Sequence, residues 1–153
     1  KGSMYHFFKS KKELVLAVID VHISQYIEKK YGAMLEVQEN YIDEMMRIIK
    51  KRDTFNFICG CRLNSLVQEL SHQDADFKIA LEKVYIRFEN IFEEAIIKAI
   101  EQNEIKHDNP KSLSVFIVAS LEGCLSTAKK SQDGEIFSEC ISQLEIYLNQ
   151  LKV

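Results

Sequence analysis

Residues 74–100 read DADFKIALEKVYIRFENIFEEAIIKAI. Phe77, Leu81, Val84, Phe88, Ile91 and Ala95 step through this stretch by four and three residues in turn. That spacing keeps side chains on one face of an α-helix. Phe92, Ile96 and Ile100 widen the face into a seam broad enough for several partner helices. Asp74 stands ahead of the run as an N-cap, and Asp76 falls in the first turn, where the helix dipole favours an acid. The polar stretch EQNEIKHDNP (101–110) ends the helix. A helix this long and this broadly apolar organises other helices around itself.

The segments on either side follow the same period. Ser10 stands three residues before Glu13, a capping box that opens a helix carrying Leu14, Val18, Val21 and Ile27 to about Tyr31. A second helix runs from about Glu39 to Arg52, with Ile42, Met45, Met46 and Ile49 on one side. DTFNFICGCRLNS (53–65) reads as a connection into a short helix, Leu63 to Leu70. Downstream, Pro110 suits a first helical turn, and Leu113, Phe116, Ile117, Leu121, Cys124 and Leu125 follow it. SQDG (131–134) is a turn. The last helix starts near Glu135 and carries Phe137, Cys140, Ile141, Leu144, Leu148 and Leu151. No segment alternates with period two, and one Pro and five Gly leave the helices uninterrupted. The expected fold class is all-α, with five long helices and a short one.

Length and composition set outer limits. A chain of 153 residues with 46% apolar content can bury one substantial core. No apolar run is long enough to cross a bilayer, so no membrane partner and a cytoplasmic location are expected. Cys59, Cys61, Cys124 and Cys140 are scattered, which favours reduced thiols over a disulfide framework. The net charge of −3 hides an asymmetry. Lys1, Lys9, Lys11 and Lys12 place +4 in the first twelve residues, which hold no acid, and the rest of the chain therefore carries −7. An acidic body repels a polyanion, so any contact of that kind must use the basic end.

No catalytic constellation is present. G-x-S-x-G, G-x-x-x-x-G-K and H-E-x-x-H are all missing, and no enzyme activity or cofactor is expected. His6, His22, His72 and His107 lie far apart, without the i,i+4 partners that would hold a metal. The C-G-C at 59–61 lacks the further ligands of a zinc site. Its two thiols are expected to be small buried hydrophobes. Thiol sensing is the alternative, with Arg62 placed to lower a thiol pKa.

The opening pattern K-G-S-x-Y-x-x-F-x-x-K-x-x-L uses Lys1, Gly2, Ser3, Tyr5, Phe8, Lys11 and Leu14. It resembles the end of the helix-turn-helix in TetR-family regulators. CGCRLNSLVQELSHQDADFKIALEKVYIRFE (59–89) is similar to a segment of one branch of that family, and LEGCLSTAKKSQD (121–133) to its penultimate helix. The resemblance implies a TetR-like helical regulator in two parts. Residues 1–11 would be the C-terminal end of the DNA-binding domain, and residues 12–153 an effector-binding and dimerisation domain. It further implies that Lys1 is not the natural start, since the first two helices and most of the recognition helix would precede it.

The partners implied are operator DNA, met by the intact protein through Lys1, Ser3, Tyr5, His6 and Lys11, and a small-molecule effector that relieves repression. A homodimer is implied as well. Candidate pocket residues are Phe55, Phe57, Cys61, Tyr85, Phe88, Glu89, Phe92, Phe116 and Ser120, a set suited to an apolar or aromatic ligand. Leu113, Ile117, Leu121 and Leu125 form one apolar row, with Phe116, Ser120 and Gly123 beside it. Two rows on one helix exceed what a small core covers, which predicts self-association. The expected interface residues are Ile117, Leu121, Leu125, Ile141, Leu144 and Leu148. The alternative is a helical binding or dimerisation module with no role at DNA.

Overall fold

The structure is a computed structural model and describes residues 7–153. Lys1, Ser3, Tyr5 and His6, expected at DNA, lie outside the described residues. Seven α-helices follow: α1 (Lys11–Ala17), α2 (Ser24–Tyr31), α3 (Tyr41–Lys50), α4 (Arg62–Leu70), α5 (Ala75–Glu101), α6 (Pro110–Ser131) and α7 (Gly134–Gln150). A π-helical segment, Val18–Ile23, joins α1 to α2 into one rod.

Four of the described helices start at a capping side chain. Ser10 Oγ accepts from Glu13 N–H at 3.1 Å, and the Glu13 carboxylate accepts in return from Lys9 N–H at 2.7 Å. Asp74, Asn109 and Asp133 cap α5, α6 and α7 in the same manner. Helices α3 and α4 start without a side-chain cap: Cys61 offers none to α4, and at α3 Asn40 has a left-handed backbone and its side chain caps nothing. Glu104, three residues past the end of α5, reaches across instead and accepts from Tyr41 N–H at 3.1 Å and Ile42 N–H at 3.4 Å. A carboxylate at a helix N-terminus satisfies free donors and meets the positive end of the dipole.

Helix α5 lies at the centre, as its two-sided seam requires. Leu81, Val84, Phe88, Ile91, Phe92, Ala95, Ile96 and Ala99 are all buried along it. The α1–α2 rod, α3 and α4 pack on it, and α6 packs along its length. Tyr31 from α2 closes on Phe88 and Phe92, with centroids 4.6 and 5.5 Å away. Helices α6 and α7 form an antiparallel hairpin about Gln132, whose φ of 54° is left-handed. Backbone bonds from Lys106 to Leu151 and from Val153 to Glu104 tie the chain end to the α5–α6 connection.

Two expectations are corrected here. Cys124 and Cys140 are joined in a disulfide across the hairpin, with Cα atoms 5.6 Å apart, where reduced thiols were expected. The two positions are equidistant from Gln132, so an antiparallel hairpin brings them face to face. Ile117, Leu121, Leu125, Ile141, Leu144 and Leu148, expected at a dimer interface, are each no more than 5% exposed within the single chain. They seal α6 and α7 against the core and are not available to a second copy.

Candidate functional site

The connection from α3 to α4 builds one wall of the site. Asn56 Oδ1 accepts from Ile58 and Cys59 N–H groups, a side-chain turn that reverses the chain. Gly60 continues it at φ +71°, a left-handed backbone that L-residues rarely adopt. Phe55 and Phe57 anchor the segment on Phe137 of α7, at centroid distances of 4.9 and 5.4 Å. Gly134 makes that docking possible, since a Cβ there would fall 2.7 Å from Arg52 and 2.8 Å from Phe57.

Between this wall and the α1–α2 rod lies an inner cavity of about 310 Å³. Tyr26, Ile27 and Tyr31 line it from the rod, Thr54, Phe55, Asn56 and Gly60 from the wall, Cys61 and Arg62 from the start of α4, and Leu125 from α6. A more open cleft of about 500 Å³ adjoins it, sharing Tyr26 and Thr54 and lined besides by Lys29, Lys30, Ala33, Arg47, Ile48 and Lys51.

Lys30 stands at the junction. Its Nζ donates to Tyr26 Oη at 3.1 Å and to the Thr54 carbonyl at 3.3 Å. The ammonium lies 3.1 Å from the Phe55 ring centroid and 5.5 Å from those of Tyr26 and Tyr31, so three aromatic faces surround it. Burial lowers the Lys30 pKa to about 7, against the opposing pull of Cys61, Glu122 and Asp53. Glu122 on α6 is 6% exposed, and its Oε2 has no hydrogen-bond partner among the described residues. Burial raises the Glu122 pKa, and Cys61, Lys30 and Asn64 hold it partly down. Burial also pushes the Cys61 thiol up to about 12, with the neighbouring Glu122 adding to the effect. Arg62 therefore does not activate Cys61, and Cys59 is exposed rather than a buried hydrophobe.

The expected pocket set is divided among four places. Phe55 and Cys61 line the inner cavity. Phe88 and Phe92 are wholly buried core rings, Tyr85 packs on Phe88 at 6.4 Å, and Phe57 packs on Phe137. Glu89 feels Lys111 and Glu93, away from the cavity. Phe116 is 47% exposed on the outer surface against Tyr147, and Ser120 returns its hydroxyl to the Phe116 carbonyl. Helical period places a ring on a face but cannot say which neighbour covers that face, hence the split.

The sequence reading missed Tyr26, Lys30, Tyr31 and Glu122, and named Arg62 only as a neighbour of the C-G-C thiols. Glu122 did carry a signal, being the one acid in α6 and four residues after the apolar Val118.

Lys11, the described member of the expected DNA set, is exposed at the first position of α1. Its neighbour Lys12 is bound instead, by Asp74 and Asp76 at 2.7 Å each, which fastens α1 to the start of α5. The rod thus runs from the basic end of the chain, past this ion pair, to the cavity wall at Tyr26, Lys30 and Tyr31.

The body is all-helical, with a basic N-terminal end and a partly open cavity, and the comparisons place it among helical transcriptional regulators. Residues 35–143 match the family described as "Transcriptional regulator LmrA/YxaF-like, C-terminal domain", and the chain belongs to this branch of the TetR family. It is 28% identical over 137 residues to an uncharacterized HTH-type transcriptional regulator from the lacX 3' region of Lactococcus lactis subsp. lactis, covering 87% of this chain and 68% of that one. It is 27% identical over 89 residues to the HTH-type transcriptional repressor NemR of Escherichia coli strain K12, covering 54% of this chain and 44% of that protein.

Among solved structures, the reduced form of E. coli NemR superposes with a TM-score of 0.83 at 21% identity, over 100% of this chain and 80% of that one. The regulatory protein TetR from Rhodobacter sphaeroides gives 0.73 at 22% identity, over 94% and 78%. Among the described residues, no helix is long and apolar enough to cross a membrane, and no cluster of three or more potential metal ligands occurs.

Proposed function

We propose that this chain is the sensing and pairing body of a homodimeric, ligand-responsive repressor working in the cytoplasm. In this reading residues 1–11 close the DNA-reading head, with Lys1, Ser3, Tyr5, His6 and Lys11 toward operator DNA, and residues 12–153 sense and pair. The observation that carries the reading is the rod itself. One continuous helix, Lys11 to Tyr31, joins the basic end to the wall of the cavity, so a ligand that moves Tyr26, Lys30 or Tyr31 moves the head. Such coupling needs only unequal affinity for two arrangements, about 1–3 kcal/mol. A π-helical segment in the middle gives the rod a place to change its pitch.

Pairing would use the outer face of the α6–α7 hairpin. Val115, Phe116, Ala119 and Gly123 are exposed on α6, and Ile146 and Tyr147 on α7. A Cβ at Gly123 would meet nothing within 4 Å, so a partner helix could approach closely there.

The test is selection of binding sites from random duplex DNA by the full-length protein. The reading expects a two-fold symmetric site whose affinity falls steeply with salt. Absence of any enriched symmetric site would end it.

A further inference from the structure

The inner cavity and the outer cleft differ in character, and the difference specifies a ligand. The inner cavity is aromatic, bounded by Tyr26, Tyr31 and Phe55. The outer cleft is cationic, with Lys29, Lys30, Arg47 and Lys51 on its walls, and Arg62 lies across the inner cavity. Among the described residues, no carboxylate lines either space. We propose that the effector is a small aromatic acid, its ring in the inner cavity and its carboxylate in the outer cleft against Lys30. The inference rests on the cavity being the effector site.

Three observations support the assignment. First, the two spaces meet at Lys30 and together suit a ligand of one or two rings with a short acid arm. Second, Lys30 already shows what the inner cavity accepts and what the outer cleft lacks. Its Nζ lies 3.1 Å from the Phe55 ring centroid, and an incoming ring would take that place while the carboxylate drew Nζ outward. Third, the charges facing Lys30 leave room for an anion. Arg47 is paired with Glu44 on its own helix. Asp53, Cys61 and Glu122 act on Lys30 through charge, while its Nζ hydrogen bonds go to Tyr26 and Thr54, and Lys29, Lys51 and Arg62 add positive potential. The phenols of Tyr26 and Tyr31 are both pushed upward by burial and stay neutral.

Proton linkage follows. Lys30 is largely neutral at pH 8 because burial holds its pKa near 7, and a bound carboxylate favours the ammonium. Binding of the acid then takes up a proton.

The experiment titrates the full-length protein at pH 8 with 2-naphthoate, 2-naphthamide and 2-naphthylmethylammonium by calorimetry, in two buffers of different ionisation enthalpy. The expected order is acid first, amide about tenfold weaker and ammonium weakest, with proton uptake for the acid alone. Lys30→Gln should abolish the uptake and weaken the acid by roughly tenfold. The exposed pair change Lys29→Gln with Lys51→Gln, which leaves the core untouched, should weaken it several-fold and spare the amide.

Equal or tighter binding of the ammonium, or acid binding indifferent to Lys30→Gln, overturns the ligand class while leaving the cavity as the site. Failure of all three probes overturns the proposal. If 2-naphthoate bound Phe55→Trp, whose larger ring intrudes on the inner cavity, as tightly as it bound the parent, the cavity reading would fall with the proposal.

Discussion

Phe116 of α6 and Tyr147 of α7 meet edge to face, ring centroids 5.3 Å apart, on the outside of the chain. Large rings that stack on each other while 47% and 36% exposed form the centre of an apolar patch with Val115 and Ile146. Such a patch is costly to leave in water and suits a symmetric contact, in which each ring pair meets its twin. Phe116→Asp together with Tyr147→Asp should convert a dimer to a monomer without unfolding it, because neither ring belongs to the core. Sedimentation velocity reads the change, and a variant that still sediments as a dimer places the interface elsewhere.

Lys30 makes stability depend on pH in a direction that can be checked. Its folded pKa, about 7, lies below its ordinary 10.5, so between these values the unfolded chain binds more protons and stability rises with pH. Lys30→Met removes the half-buried cation. The variant should be more stable than the parent at pH 6, and its advantage should shrink steadily toward pH 10. Urea unfolding at several pH values measures the difference, and an advantage that grows with pH would contradict the assignment.

Glu122 behaves in the opposite sense. Burial raises its folded pKa, so the folded state binds more protons above the ordinary 4.5, and stability is lost as pH rises. Glu122→Gln keeps the shape and removes the charge. It should gain on the order of 1 kcal/mol at pH 8 and nothing at pH 4, read from unfolding curves at the two pH values.

Gln132 sits at the hairpin turn with φ 54°, a backbone that glycine adopts without its Cβ penalty. Gln132→Gly should stabilise the protein by about 0.5–1 kcal/mol, visible as a higher midpoint on thermal unfolding.

The disulfide is equally open to measurement. Thiol titration of the unreduced, unfolded protein should find Cys59 and Cys61 but not Cys124 or Cys140. Reduction releases a constraint spanning 16 residues, which should lower stability by about 3 kcal/mol.

Much of the fold was legible in the sequence because helices announce their ends. Ser10, Asp74 and Pro110 each stand where the structure starts a helix, and the seam from Phe77 to Ala95 proved central. Which apolar residues of α6 face outward was read less well, for one reason. Leu121 and Phe116 are both apolar on the same helix, and only the position of α5 and α7 decides that Leu121 is sealed inward while Phe116 faces out. Lys30 was passed over because a lysine in a helix is ordinarily a solvated charge. The aromatic cage that makes it unusual comes from Tyr26 and Tyr31 on its own helix and from Phe55, 25 residues further on. The disulfide was missed because it depends on the register of the α6–α7 hairpin, which cysteine spacing alone does not convey.

The central claim is that pairing through the α6–α7 face is what lets the molecule hold DNA. Fluorescence anisotropy of a selected two-fold site, titrated with the full-length protein and with its Phe116→Asp, Tyr147→Asp variant, tests it directly. The account predicts two chains per duplex for the parent and a loss of affinity of about 100-fold or more for the monomeric variant, although no residue at the DNA-reading end has changed. Undiminished affinity in a monomer, or a parent that binds with one chain per site, would contradict it.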